Sequence, residues 1–233
     1  VADDTMSEIT ENLRQVQEKI EQAATRAGRS PQGIKLIAVT KTVTIERIQE
    51  AREAGVAIVG ENYVQEARRK IETIGHGIQW HFIGHLQVNK AKYAVRFFDL
   101  IHAVDSYALA VELDKRGAMA GKVVDCLIEV NLSGEGQKFG IRCERTAELA
   151  HAMNGLKNIA LKGLMTMPPF ADVAEASRPY FISLRELQGA IEEKEGIPLP
   201  ELSMGMSTDF AVAIEEGATM VRIGRAIFGE RSA

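Results

Sequence analysis

The sequence predicts an α/β fold, a single (β/α)8 TIM barrel, and three observations carry that prediction. Eight short apolar runs recur along the 233 residues. Amphipathic stretches at helical spacing lie between them. Each run also ends in small or polar residues, as a ligand-binding barrel mouth requires. Strict alternation of strand and helix implies parallel strands with right-handed crossovers, and eight units suggest closure. The alternation by itself also admits an open doubly wound sheet. No Ser- or Pro-rich linker divides the chain, so residues 1–233 are read as one domain.

Residues 6–28 read as a helix, because Ile9, Leu13, Val16 and Ile20 recur at helical spacing and Gly28 ends it. Ser30-Pro31 turns the chain into the first apolar run, which ends Val39-Thr40-Lys41-Thr42. Both faces of that run are apolar until its last residues, which fits a parallel strand covered on both sides. Alternation places Ile37, Val39 and Lys41 on one face and Leu36, Ala38 and Thr40 on the other. A strand that stops at Lys41 holds an amine at the rim. The remaining runs are 57–59, 79–83, 100–104, 124–130, 161–167, 202–204 and 220–223. Helical stretches fall near 44–54, 61–73, 87–96, 106–120, 142–154, 174–195 and 208–216.

A hydrophobic fraction of 45% and a charged fraction of 26% are ordinary for a globular protein. The net charge of −4 argues against nucleic acid or an acidic membrane as the main partner. No apolar run approaches the roughly 20 residues of a membrane span. The acidic start, Val1-Ala2-Asp3-Asp4, lacks the basic and apolar regions of a secretory signal. Cys126 and Cys143 form no C-x-x-C and read as thiols in a reducing cytosol, so a cytoplasmic protein is expected.

The chemistry gathers at the strand ends. The seventh run leads into Gly205-Met206-Ser207-Thr208-Asp209 and the eighth into Gly224-Arg225-Ala226. In barrels the last two loops often form a phosphate site. Glycines at 205 and 224 let the backbone approach an anion. Amides at Met206, Ser207, Gly224 and Arg225 are candidates to hold its oxygens, with the Ser207 hydroxyl assisting. Ser207 as a plain helix cap is the competing reading. Arg222 shares a face with Met220 and Gly224, so it points into the barrel if Gly224 does. It then either pairs with an inward carboxylate such as Glu129 or donates to a ligand. A lysine, a phosphate cradle and an inward arginine at one mouth suggest pyridoxal 5′-phosphate (PLP), with Lys41 forming the imine.

The same stretches resemble a known family. They are Ala38-Val39-Thr40-Lys41-Thr42, Gly60-Glu61-Asn62-Tyr63-Val64-Gln65-Glu66, Trp80-His81-Phe82-Ile83-Gly84-His85-Leu86-Gln87, Gly163-Leu164-Met165, Leu202-Ser203-Met204-Gly205-Met206-Ser207 and 221–229. Together they resemble the pyridoxal-phosphate homeostasis proteins, the group related to bacterial YggS and to human proline synthase co-transcribed homologue. The resemblance implies a barrel like the N-terminal domain of alanine racemase. It also implies an internal aldimine at Lys41, phosphate contacts at Ser207 and Gly224, and Arg222 near the pyridine nitrogen. Many relatives carry Thr where this chain has Arg225, but phosphate needs only that residue's backbone N–H.

An arginine facing the pyridine nitrogen can donate but not accept, which makes the cofactor a poor electron sink. Racemization further needs a second acid/base on the opposite face, which alanine racemase draws from another domain. This sequence ends at Ala233, just past the eighth strand, so a carrier that buffers or delivers PLP is expected rather than an enzyme. A small racemase, a Schiff-base aldolase and a regulatory module are the alternatives. Expected partners are PLP and apo PLP-dependent enzymes, with no nucleic acid or membrane, and a monomer. Tyr63 is the tyrosine placed near the mouth, in packing or phosphate contact. Glu61 reads as a first-turn helix acid, and Asn62 as a ligand contact. His81 and His102 read as strand residues with hydrogen-bond partners, and no histidine pair has metal-ligand spacing. Lys138, on a Gly-rich loop, is a candidate second amine. Met165, Met167, Met204 and Met206 read as core filler and site walls.

Overall fold

The computed structural model describes residues 7–135 and 139–230. Helix α1 (Glu8–Arg26) opens on Ser7, whose hydroxyl accepts from the Thr10 amide at 3.2 Å. Its buried stripe of Ile9, Leu13, Val16 and Ile20 is the one that the periodicity marks. The chain then alternates: β1 (Lys35–Val39), α2 (Ile45–Glu53), β2 (Ile58–Glu61), α3 (Val64–Ile74), β3 (Gln79–Phe82), α4 (Ala91–Phe97) and β4 (Leu100–Val104). It continues with α5 (Tyr107–Ala120), β5 (Val124–Asn131), β6 (Ile141–Arg142), α6 (Cys143–Asn154) and β7 (Ile159–Met165). The last elements are α7 (Arg178–Glu195), β8 (Glu201–Ser203), α8 (Phe210–Glu215), β9 (Met220–Ile223) and α9 (Arg225–Phe228).

The strands run in the order β4-β3-β2-β1-β9-β8-β7-β5, and a β4–β5 pairing closes the ring. Every pairing is parallel. Eight strands therefore make the barrel, and the two-residue β6 lies outside it against the end of β5. Two apolar layers hold it together. One fills the space between strands and helices, with Trp80, Phe82 and Phe181 among its fully buried side chains. The other plugs the lumen with Ile37, Ile58, Leu100, Leu127, Met165 and Met220. Among those apolar side chains the strands also carry polar ones, in register with them: His81, His102, Glu129, Ser203 and Arg222 are all buried. Helix α1 packs outside the seam, against α8, α9 and α2. At Gly163, where β7 passes β8, any Cβ would overlap the Glu201 carbonyl.

Several elements differ from expectation, and those beside the site matter most. β1 stops at Val39, because Val43 N–H closes onto Thr40 O at 2.9 Å and turns the chain at Lys41. Glu61 ends β2 and is wholly buried; α3 begins at Val64. The short β6 carries too few residues for a period to be read. No helix among the described residues is long and apolar enough to cross a membrane. Cys126 and Cys143 are not bonded to each other.

Candidate functional site

Lys41 sits on the turn after β1, and its neighbours on both sides are pinned. Lys70, on the buried face of α3, donates to Thr40 O at 2.6 Å, Glu61 Oε1 at 2.8 Å and Glu66 Oε1 at 2.6 Å. The Thr40 hydroxyl donates to the same Glu61 oxygen at 2.6 Å. Glu66 Oε1 in turn accepts from the Thr42 amide at 2.6 Å. Thr42 is held at φ 64°, a left-handed conformation that a β-branched residue takes only under constraint. Glu61 is thus a structural anchor for the lysine turn, not a helix-dipole acid. Burial pushes its carboxyl up, against the pull of Lys70. Sequence reasoning missed this network. The Glu66–Lys70 spacing of four on one helix is the signal that could have found it.

Half-buried Lys41 lines a cavity of about 370 Å³ together with Val39, Arg47, Gly224 and Arg225. The amine from the first strand and the backbone after the last strand therefore open onto one space. The loop after β8 adjoins it through Ser207, whose hydroxyl accepts from the Ala226 amide at 3.4 Å. Gly205 is required there: at φ 92° its Cβ would stand 2.6 Å from Ala213 Cβ. Gly224 is also confined, since its Cβ would lie 3.3 Å from Val39 O. The amides of Ser207, Thr208 and Arg225 donate to no protein acceptor among the described residues. One expectation is corrected here. The Met206 amide donates to Asp209 Oδ1 at 2.7 Å, so it is not among the loop's free donors.

Arg222 points inward, beside Met220 of the lumen plug, and is 3% exposed. Its guanidinium donates to Ser203 Oγ at 2.6 Å and to Thr166 O at 2.9 Å. Both partners are neutral, so the alternative of a hydrogen-bonded ion pair with Glu129 is not realised. Burial pulls the guanidinium down to about 10, with Glu129 and Asp209 opposing, so it stays charged at neutral pH. Glu129 keeps a buried Oε2 without a partner. Burial pushes its carboxyl up to about 7; nearby Asp105 adds to this and Arg222 opposes it. Ser203 Oγ also meets His102 Nδ1 at 2.9 Å, and His102 Nε2 meets His81 Nδ1 at 3.1 Å. Burial drives both imidazoles down, His81 to about 3 and His102 well below its ordinary value.

Asn62 and Tyr63 line a neighbouring cavity of about 470 Å³, with His85, Phe139 and Met167. His85 stacks on Phe139 at 3.9 Å between centroids and faces Asp105 at 3.5 Å. Asn62 Oδ1 is buried without a partner, and Tyr63 is 60% exposed. Asn62 is therefore beside the Lys41 cavity rather than on its wall. Lys138 lies outside the described residues. Among the described residues no group of His, Cys, Asp and Glu is arranged to hold a metal ion.

The profile of the family described as "Alanine racemase, N-terminal domain" matches residues 9–232. A pyridoxal phosphate homeostasis protein of Aquifex aeolicus (strain VF5) is 47% identical over 222 residues, covering 95% of this chain and 97% of the relative. PipY of Synechococcus elongatus PCC7942, solved with PLP bound, superposes with a TM-score of 0.81 at 34% identity, over 91% of this chain and all of PipY. An alanine racemase of Clostridium difficile 630 shares the fold at a TM-score of 0.74 and 17% identity, over 96% of this chain and 58% of that one. The chain belongs to the pyridoxal phosphate homeostasis protein family, built on the alanine racemase N-terminal barrel.

Proposed function

We propose that this chain binds PLP at Lys41 and serves to buffer or deliver it, rather than to turn over a substrate. The observation that carries the reading is the single cavity shared by Lys41 and the Gly224–Arg225 backbone. The donor set fits the group. Three amides without protein acceptors suit a phosphate, and Arg222 spends only two of its five N–H groups on protein. Bound there, PLP supplies an aldehyde for the amine and a phosphate for the amides. Lys41 holds the aldehyde end, Ser207 and Arg225 orient the phosphate, and Arg222 donates toward the ring nitrogen. The name of the Aquifex relative and the PLP bound in PipY support the same reading.

An arginine cannot protonate the ring nitrogen strongly enough to make a good electron sink, and Tyr63 is too exposed to serve as a buried second acid/base. The chain accordingly acts as a holder of cofactor, as one domain and as a monomer in the cytoplasm, with apo PLP-dependent enzymes as recipients. Titration with PLP should raise a visible absorption band that Lys41→Ala abolishes. Racemization of any amino acid at enzymatic rates, lost in the same variant, would overturn the carrier reading.

A further inference from the structure

We propose that Ser203, His102 and His81 form a one-way hydrogen-bond chain that locks the Arg222 guanidinium toward the ligand. Ser203 and His102 are then positioning residues for the PLP ring, an assignment that rests on the PLP reading above.

The direction of the chain follows from its first member. A guanidinium has no acceptor, so Arg222 must donate to Ser203 Oγ across their 2.6 Å contact. The Ser203 hydroxyl, itself wholly buried, then has one proton to place. His102 Nδ1 at 2.9 Å is its hydrogen-bonded neighbour besides Arg222. If Ser203 donates there, His102 carries its own proton on Nε2 and donates to His81 Nδ1 at 3.1 Å. His81 then carries its proton on Nε2 as well. The reverse order would make Ser203 Oγ a double acceptor and strand its hydroxyl proton in the core, which costs about 1–3 kcal/mol. Burial keeps both rings neutral, as the one-way chain requires.

Two consequences follow. Because Arg222 never accepts, the chain cannot reverse without breaking its first bond, so it is a lock and not a proton wire. And because Thr166 O takes a second N–H at 2.9 Å, the plane of the guanidinium is fixed at two points. The remaining N–H groups keep a set direction before any ligand arrives, so its binding does not have to order them. His81 also lines the cavity at the opposite end of the barrel, beside Lys35 and Asp125, so the lock spans the lumen from mouth to base.

Two experiments test this. In apo protein labelled with ¹⁵N-histidine, long-range ¹H–¹⁵N spectra should show both buried rings neutral and protonated on Nε2 from about pH 5 to 8. A ring protonated on Nδ1, or a cationic ring, overturns the chain. In the PLP-loaded protein, Ser203→Ala and His102→Leu should each raise the Kd for PLP about tenfold, as expected for a lost bond to a charged group. The double variant should be no worse than either alone. His102→Asn, whose Oδ1 stands where Nδ1 stood, should recover most of the loss, and borohydride should still attach PLP to Lys41 in all four variants. Wild-type Kd in Ser203→Ala and His102→Leu, or no recovery in His102→Asn, overturns the lock. If wild type takes up no PLP, the functional reading fails and takes the ligand half of this proposal with it. The tautomers are then judged by the spectra alone.

Discussion

Lys41 owes its setting to residues that never touch the cavity. Lys70 and Glu61 are buried together, and their ion pair ties down the strand end that carries the amine. Removing one partner of such a pair leaves an uncompensated charge in the core. Lys70→Ala should therefore lower unfolding free energy by about 3–5 kcal/mol in urea titration. The double variant Lys70→Met/Glu61→Gln should recover at least half of that, because the wholly buried carboxylate is removed and Glu66, part-exposed, still accepts from the Thr42 amide. Glu129 works in the other direction. Its carboxyl ionises near 4.5 when unfolded and near 7 when folded. Between those values the folded state keeps a proton that the unfolded state has lost, so stability falls as pH rises through the window. Glu129→Gln should match wild type below pH 4.5 and exceed it by about 3 kcal/mol above pH 7, checked by urea titrations across that range. A constant offset at all pH would contradict the account. At this scale the sequence showed the inward face of Arg222, because strand alternation is local, but not the setting of Lys41, which lies on a turn past the strand. It hid the role of Glu61, the use of the Met206 amide and the partners of His81 and His102. Each of those depends on a residue from a different strand or loop.

Single elements were legible where their period was long enough to repeat. Helix α1 and the apolar strands announce themselves, since a parallel strand covered on both faces reads as an unbroken apolar run. The ends were harder. β1 stops short of Lys41 because the turn at Thr40–Val43 is closed by a backbone bond that no composition signals. Helix α3 does two jobs: Val64, Ala67 and Ile71 bury its apolar face, while Glu66 and Lys70 reach the lysine turn. The β8–α8 connection is confined enough to be tested alone. Gly205→Ala places a methyl against Ala213 and Phe210 at a φ of 92°. It should cost about 2–4 kcal/mol in stability, from overpacking together with the strained backbone. It should also weaken PLP binding more than a matched loss of stability elsewhere does, compared by titration at equal folded fraction.

Over the whole molecule, a closed lumen that buries apolar and polar side chains together turns eight ordinary units into a site. The plug of Ile37, Leu127 and Met220 fixes the strands, and Arg222, Ser203 and Glu129 are buried in register with its members. Closure then brings the end of the first strand beside the end of the last, which pair directly from Lys35 with Met220 to Ala38 with Ile223. That adjacency was implied by the eightfold alternation and by nothing shorter. It lets an amine and the Gly224–Arg225 backbone, some 180 residues apart, meet over one cavity. The measurement that tests this most directly is peptide mapping after the PLP-loaded protein is reduced with borohydride. The account predicts one stable adduct, on Lys41, and none in Lys41→Ala. An adduct on another lysine, or none in wild type, would contradict it.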